Sequence, residues 1–104
     1  MIHVFTLFDG PGKAALRLQT RPAHKAYLAQ VSERIAFAGP LLDTEGGGEP
    51  VMIGSLLAID FPSREAALAW LSKEPFTTAG VYARSDVRAF QNLWPQKAGF
   101  PPVE

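Results

Sequence analysis

The chain of 104 residues contains no cysteine. That absence excludes disulfides, thiolate nucleophiles and every zinc site that needs sulfur, and it fits a reducing cytoplasm, the compartment expected for this protein. An excess of charge is missing too: ten Lys and Arg balance ten Asp and Glu. No basic run tracks along one segment, so nothing draws in a polyanion and no nucleic acid partner is expected. No apolar stretch approaches the roughly 20 residues of a spanning helix, so no membrane partner is expected. The opening MIHVFTLFDG is short and alternating, without a basic region or a small-residue cleavage site, and so has the character of a strand and not of a leader. Histidine is scarce, with His3 and His24 alone. Neither has a third nitrogen or a carboxylate at ligand spacing, and no metal is expected. GPGKA lacks the spacer and the Ser or Thr of a phosphate loop, and EGGGE lacks the strand and helix that flank a dinucleotide fingerprint. No cofactor is expected.

What the chain does have is apolar side chain, 47% against 19% charged, enough for the single core that this length suits. Residues 2–8 alternate, with His3, Phe5 and Leu7 on one face and Ile2, Val4, Thr6 and Phe8 on the other, until DGPG ends the strand. A helix is expected from Pro22 to Arg34, with Pro22 in the first turn, Thr20 or Arg21 at the cap, and Tyr27, Leu28 and Val31 on one stripe. A strand through Ile35 and Phe37 should break at Gly39 and Pro40, and TEGGGEP leads to a strand from Val51 to Asp60. Pro62 and Ser63 open a second helix, where Ala67, Trp70, Leu71 and Glu74 share a stripe until Pro75 stops it. Gly80 supplies backbone freedom for entry to a last strand, Val81 to about Phe90. Residues 92–104 form an irregular tail after a domain of residues 1–91, and Trp94 and Phe100 suggest that the tail lies on something apolar. Strand, helix, strand, strand, helix, strand is an α+β pattern. Its expected form is a ferredoxin-like βαββαβ sandwich, a four-stranded antiparallel sheet with both helices on one face. Both registers of the strand at residues 51–60 are apolar, so the uncovered sheet face needs a cover, and a second copy of the chain is the economical one. A homodimer is expected.

The segments TRPAHKAYL, AGPLL, GSLLAIDF and EPFTTAGVY come in an order and spacing that resembles the YCII-related (YciI-like) family, over nearly everything up to about residue 90. The resemblance implies a ferredoxin-like fold that pairs into a dimeric α/β barrel. It also implies an active site made from a histidine of the first helix and an aspartate just before the proline and aromatic that follow the second. One characterised branch of the family removes chloride from a chlorinated hydroxyquinol. The histidine maps to His24; the acidic position holds Glu74, followed by Pro75 and Phe76. Glutamate keeps the charge, but its extra methylene moves the carboxylate.

A histidine beside a carboxylate suits proton transfer near neutral pH without a metal, because the anion orients the ring and favours its charged form. His24 precedes Tyr27 and Leu28 by three and four residues, which puts the imidazole on the buried stripe. Glu74 on the stripe of the second helix would meet it in a groove between the helices, beside an AGPL turn at residues 38–41. Arg21 or Arg17 would clamp a small acidic substrate there. Ser55, in the GS pair, either donates a hydrogen bond into the site or relieves packing at a bulge. Phe76, like Trp70, belongs to the core or to the pocket wall that meets substrate. Taken singly, His24 also suits a structural histidine bonded to a backbone carbonyl, and Glu74 an ordinary late-helix residue. The expected function is a cofactor-independent enzyme in which His24 and Glu74 act as a general acid–base pair. Elimination, dehydrochlorination or isomerisation of a phenolic or lactone-like compound would follow. The alternative is a non-catalytic dimeric module that binds a small aromatic or acidic metabolite, or a protein partner, in the same groove. A cofactor-free monooxygenase on the same barrel is a third possibility, by fold analogy alone.

Overall fold

The computed structural model of the chain describes residues 1–94. In chain order the elements are β1 (Ile2–Asp9), α1 (Ala14–Ala29), a single 3-10 turn (Ser32–Arg34), β2 (Ile35–Asp43), β3 (Val51–Asp60), α2 (Arg64–Ser72), α3 (Pro75–Thr78) and β4 (Tyr82–Phe90). The strands lie in the order β2-β3-β1-β4, antiparallel throughout. This is the ferredoxin-like α+β arrangement. Alternation in β1 buries His3, Phe5 and Leu7 toward the helices. Phe5 pairs with Leu57 on one side and Val87 on the other, and these join Ile59, Phe61, Ala67 and Leu71 in one apolar core. Trp70 closes that core, packing at 5.5 Å on Phe5 and 5.6 Å on Phe61. Each large side chain so buried contributes about 2 kcal/mol. Ser63 caps α2, accepting from the Ala66 amide at 3.0 Å, as Ser at that position should.

Four expectations are corrected. Helix α1 begins at Ala14, not Pro22, and Pro22 lies inside it. The run AALRLQ has high helix propensity, and Leu18, four residues before the proline, is exposed, so the carbonyl deprived of its partner sits in a turn open to water. Strand β2 passes through Gly39 and Pro40 instead of breaking there. It is an edge strand, where proline removes least from the ladder. Helix α2 ends at Ser72, and Glu74 lies beyond it at the N-cap position of α3. Trp94 is 90% exposed and rests on nothing apolar among the described residues; Phe100 lies outside them. Gly80 does take the left-handed φ of +83° that precedes β4. Among the described residues, no helix is long and apolar enough to cross a membrane.

Candidate active site

Arg17, Arg21, His24 and Leu28 stand at i, i+4, i+7 and i+11 of α1 and therefore share a face. That face forms one wall of a cleft of about 290 Å³; Ala38, Gly39 and Pro40 of β2 form another, and Ser55 of β3 and Phe76 of α3 also line it. The size suits a single-ring molecule, at the small end of ligand pockets.

Glu74 reaches this place through the short helix α3. Pro75 at its first position lacks the amide hydrogen that would go unpaired there, and Glu74 keeps an extended backbone, φ −67° and ψ 132°, without capping the turn with its side chain. Its carboxylate turns instead toward α1, where Oε1 accepts a hydrogen bond from Nδ1–H of His24. The Glu74 side chain is wholly buried, that of His24 13% exposed. With the proton held on Nδ1, a neutral ring carries its lone pair on Nε2, which has no hydrogen-bond partner among the described residues. Phe76 sets the plane of the imidazole, stacking on it at 4.1 Å and 17°, and the Arg17 guanidinium lies 4.4 Å from the centre of the same phenyl ring. Oε2 of Glu74 is buried and unpartnered among the described residues. Tyr27 donates to the Trp70 carbonyl at 2.8 Å; burial first, and then the charge of Glu74, raise its pKa above the tyrosine norm.

A second polar cluster adjoins the first. The inward register of β1 continues past Leu7 to Asp9, which accepts from Arg17 Nε at 2.7 Å and Nη2 at 3.0 Å, with both side chains nearly buried. Nη2 also donates to Ser55 Oγ at 2.8 Å, and the Tyr82 hydroxyl stands 2.8 Å from the same oxygen. Burial pushes the Tyr82 pKa far above its ordinary value, so the phenol keeps its proton. Gly54 has a separate reason to precede Ser55: a Cβ there would come within 2.2 Å of the Leu7 carbonyl oxygen, so only glycine lets β3 lie this close to β1. Ser55 pairs regularly with Leu7 and Pro40, and the nearby irregularity falls between Leu41 and Leu42. The serine therefore does not relieve a bulge.

Of the residues singled out from sequence, His24 and Glu74 touch, and Arg21, Ser55 and Phe76 line the cleft with His24. Arg17 supports its floor from an ion pair, while Arg21 is exposed at its mouth. The 38–41 segment is a strand wall and not a turn. His3 is not part of the site: its Nδ1 bonds the Met1 carbonyl at 3.0 Å. Sequence reasoning missed Asp9 and Tyr82. Asp9 carried a signal, since a carboxylate on the inward register of an apolar strand requires a buried partner.

Comparison with known proteins gives a consistent picture. The YCII-related domain matches residues 1–91. Protein YciI of Escherichia coli O6:H1 is 34% identical over 98 residues, covering 90% of this chain and all of that protein. An uncharacterized protein of Haemophilus influenzae is 33% identical over the same share. Among solved structures, 5-chloro-2-hydroxyhydroquinone dehydrochlorinase (TftG) from Burkholderia phenoliruptrix AC1100, in complex with 2,5-dihydroxybenzoquinone, is similar with a TM-score of 0.82. It is 30% identical, and the match covers 88% of this chain and 94% of that one.

Proposed function

Since the chain belongs to the YCII-related domain family, we propose that it is a small-molecule enzyme of the general acid–base kind, acting without a cofactor on a phenolic or lactone-like compound. The observation that carries this is the buried contact between Glu74 and His24, whose ring opens onto a cleft sized for one ring. Nε2 of His24 removes a proton from a phenolic hydroxyl or an acidified C–H, and Glu74 stabilises the imidazolium that forms. Where the ring carbon beside that hydroxyl carries a halide, the imidazolium returns the proton to that carbon, which becomes tetrahedral as the oxygen becomes a carbonyl. Loss of the proton of the hydroxyl para to that carbonyl then forms a second carbonyl, shifts the ring double bond and expels the halide with its electron pair, a net loss of hydrogen halide. The dehydrochlorination for which TftG is named is elimination of this type, and isomerisation is the same proton transfer without loss of a leaving group. Residues 1–91 make up the working domain, with residues 92–104 as a tail, in the cytoplasm.

A second copy of the chain completes the assembly in this proposal. The sheet face away from the helices carries Ile2, Val4, Phe8 and Leu56, half-buried, with Phe37 and Phe90 exposed; an apolar surface of that extent favours a partner. Chloride release from 5-chloro-2-hydroxyhydroquinone is the direct test of the chemistry. His24→Ala and Glu74→Gln should each lower kcat about 10²- to 10⁴-fold, the double variant falling no further than the worse single one. Release unchanged in His24→Ala refutes the proposal, and release at the background rate in the unaltered chain favours the binding module.

A further inference from the structure

The Ser55 hydroxyl has one proton to give and two lone pairs to offer. Arg17 Nη2, 2.8 Å away, can only donate, so it occupies one lone pair. The Tyr82 hydroxyl lies at the same distance, and on distance alone either oxygen is able to donate to the other. Satisfaction of the phenol decides between them. Burial keeps the Tyr82 proton in place, and Ser55 is its only hydrogen-bond partner among the described residues. Were Ser55 the donor, the phenol proton would be left without a protein acceptor, at the desolvation cost of an unmade bond. Tyr82 therefore donates, and Ser55 Oγ accepts twice.

The serine's own proton then has one place to go. Ser55 is 2% exposed, and the small surface it keeps lines the cleft together with His24, Arg21 and Lys25. Among the described residues no Asp or Glu lines it, so Arg21 and Lys25 make the described entrance cationic. Asp9 holds the Arg17 guanidinium in place with two bonds, and that fixed cation polarises the hydroxyl it touches.

We propose that Ser55 is an obligate hydrogen-bond donor to an oxygen of the substrate, so that the cleft selects a single ring whose oxygen is an anion or becomes one in the reaction: a carboxylate, or a phenol or carbonyl on its way to phenolate or enolate. The proposal rests on the same cleft being the reaction site. There the donor faces an oxygen on which negative charge grows as His24 takes a proton, which is where a preorganised donor lowers a barrier most. Arg17, Asp9 and Tyr82 are positioning residues that act through Ser55.

Benzoate, a one-ring carboxylate that undergoes no turnover, tests the polarity by calorimetric titration of the full chain. The unaltered protein should bind it, Ser55→Ala should weaken binding about tenfold, and Ser55→Thr, which retains a hydroxyl, should recover most of the loss. Tyr82→Phe should fail to tighten binding, because it frees a lone pair and not a proton. If Ser55 instead donates to Tyr82, Tyr82→Phe tightens benzoate binding and Ser55→Ala leaves it unchanged; either result, or no benzoate binding by the unaltered chain, overturns the proposal. Because benzoate needs no chemistry, loss of the Ser55 effect with chloride release intact refutes this inference alone. A preserved Ser55 effect with no turnover refutes the acid–base proposal alone.

Discussion

Tyr82→Phe removes one oxygen atom and sets two effects against each other. At neutral pH the variant loses the bond to Ser55, 2.8 Å long, which should cost about 1 kcal/mol of stability. At high pH the sign reverses. Burial raises the pKa of folded Tyr82 above the ordinary value of 10.0. A group so raised contributes stability that is complete below the unfolded pKa and is lost as pH climbs toward the folded one. Once past about pH 10 the unfolded chain gives up this proton while the folded chain holds it, so the unaltered protein loses stability at about 1.4 kcal/mol per pH unit. Phenylalanine has no proton to lose. The two stability curves should converge and cross at about pH 10.7, where the alkaline loss equals the missing bond. Tyr27, whose pKa is also raised, is present in both chains and cancels in the difference. Urea unfolding of both proteins between about pH 8 and 11, with midpoints converted through a common slope, measures this difference. Parallel curves would refute the reasoning: the Tyr82 hydroxyl would then not be withheld from ionisation, and the hydrogen-bond direction assigned to Ser55 would lose its support.

Asp9→Asn leaves the buried Arg17 guanidinium without its counter-charge and should destabilise the fold by about 3 kcal/mol in urea unfolding. Adding Arg17→Met should recover much of that loss, since the desolvated cation is then gone, and a double variant as unstable as Asp9→Asn would count against the pairing. Leu56→Glu puts a charge on the outer face of an inner strand, so sedimentation should show a dimer for the unaltered chain and a monomer for the variant. A monomer in both would refute assembly through that face.

Much of the architecture could be read from residues alone, because alternation and punctuation were strong where packing is simple. The run from Val51 to Asp60 reads as a strand with the bounds the structure has, and His3, Phe5 and Leu7 fall on the buried side as their spacing demands. Proline was the main source of error. Pro22 has the look of a helix start, yet the six residues before the TRP sequence favour helix strongly enough to carry α1 through it. Pro75 does begin a helix, but one of four residues, too short for any periodicity to announce. The i+7 spacing from Ala67 therefore puts Glu74 on α2, whereas the residue reaches its contact with His24 from the N-cap of α3. That these two residues meet was legible through the family resemblance, since they are fifty positions apart and nothing local links them. The Asp9–Arg17–Ser55–Tyr82 cluster depends on three strands and a helix converging, and only the inward position of Asp9 hinted at it.

The position of β2 at the end of the sheet has a consequence for growth beyond a pair. An outermost strand normally offers its free amides and carbonyls to any extended chain nearby, and repeated addition builds ribbons. Here that strand carries Pro40 and two irregularities of register, so it is a poor template on which to lay another. In the pairing proposed above, two copies meeting on the broad surface of the sheet by a two-fold rotation would hide that surface from any third. Ribbon growth from the β2 side of the sheet is thereby discouraged.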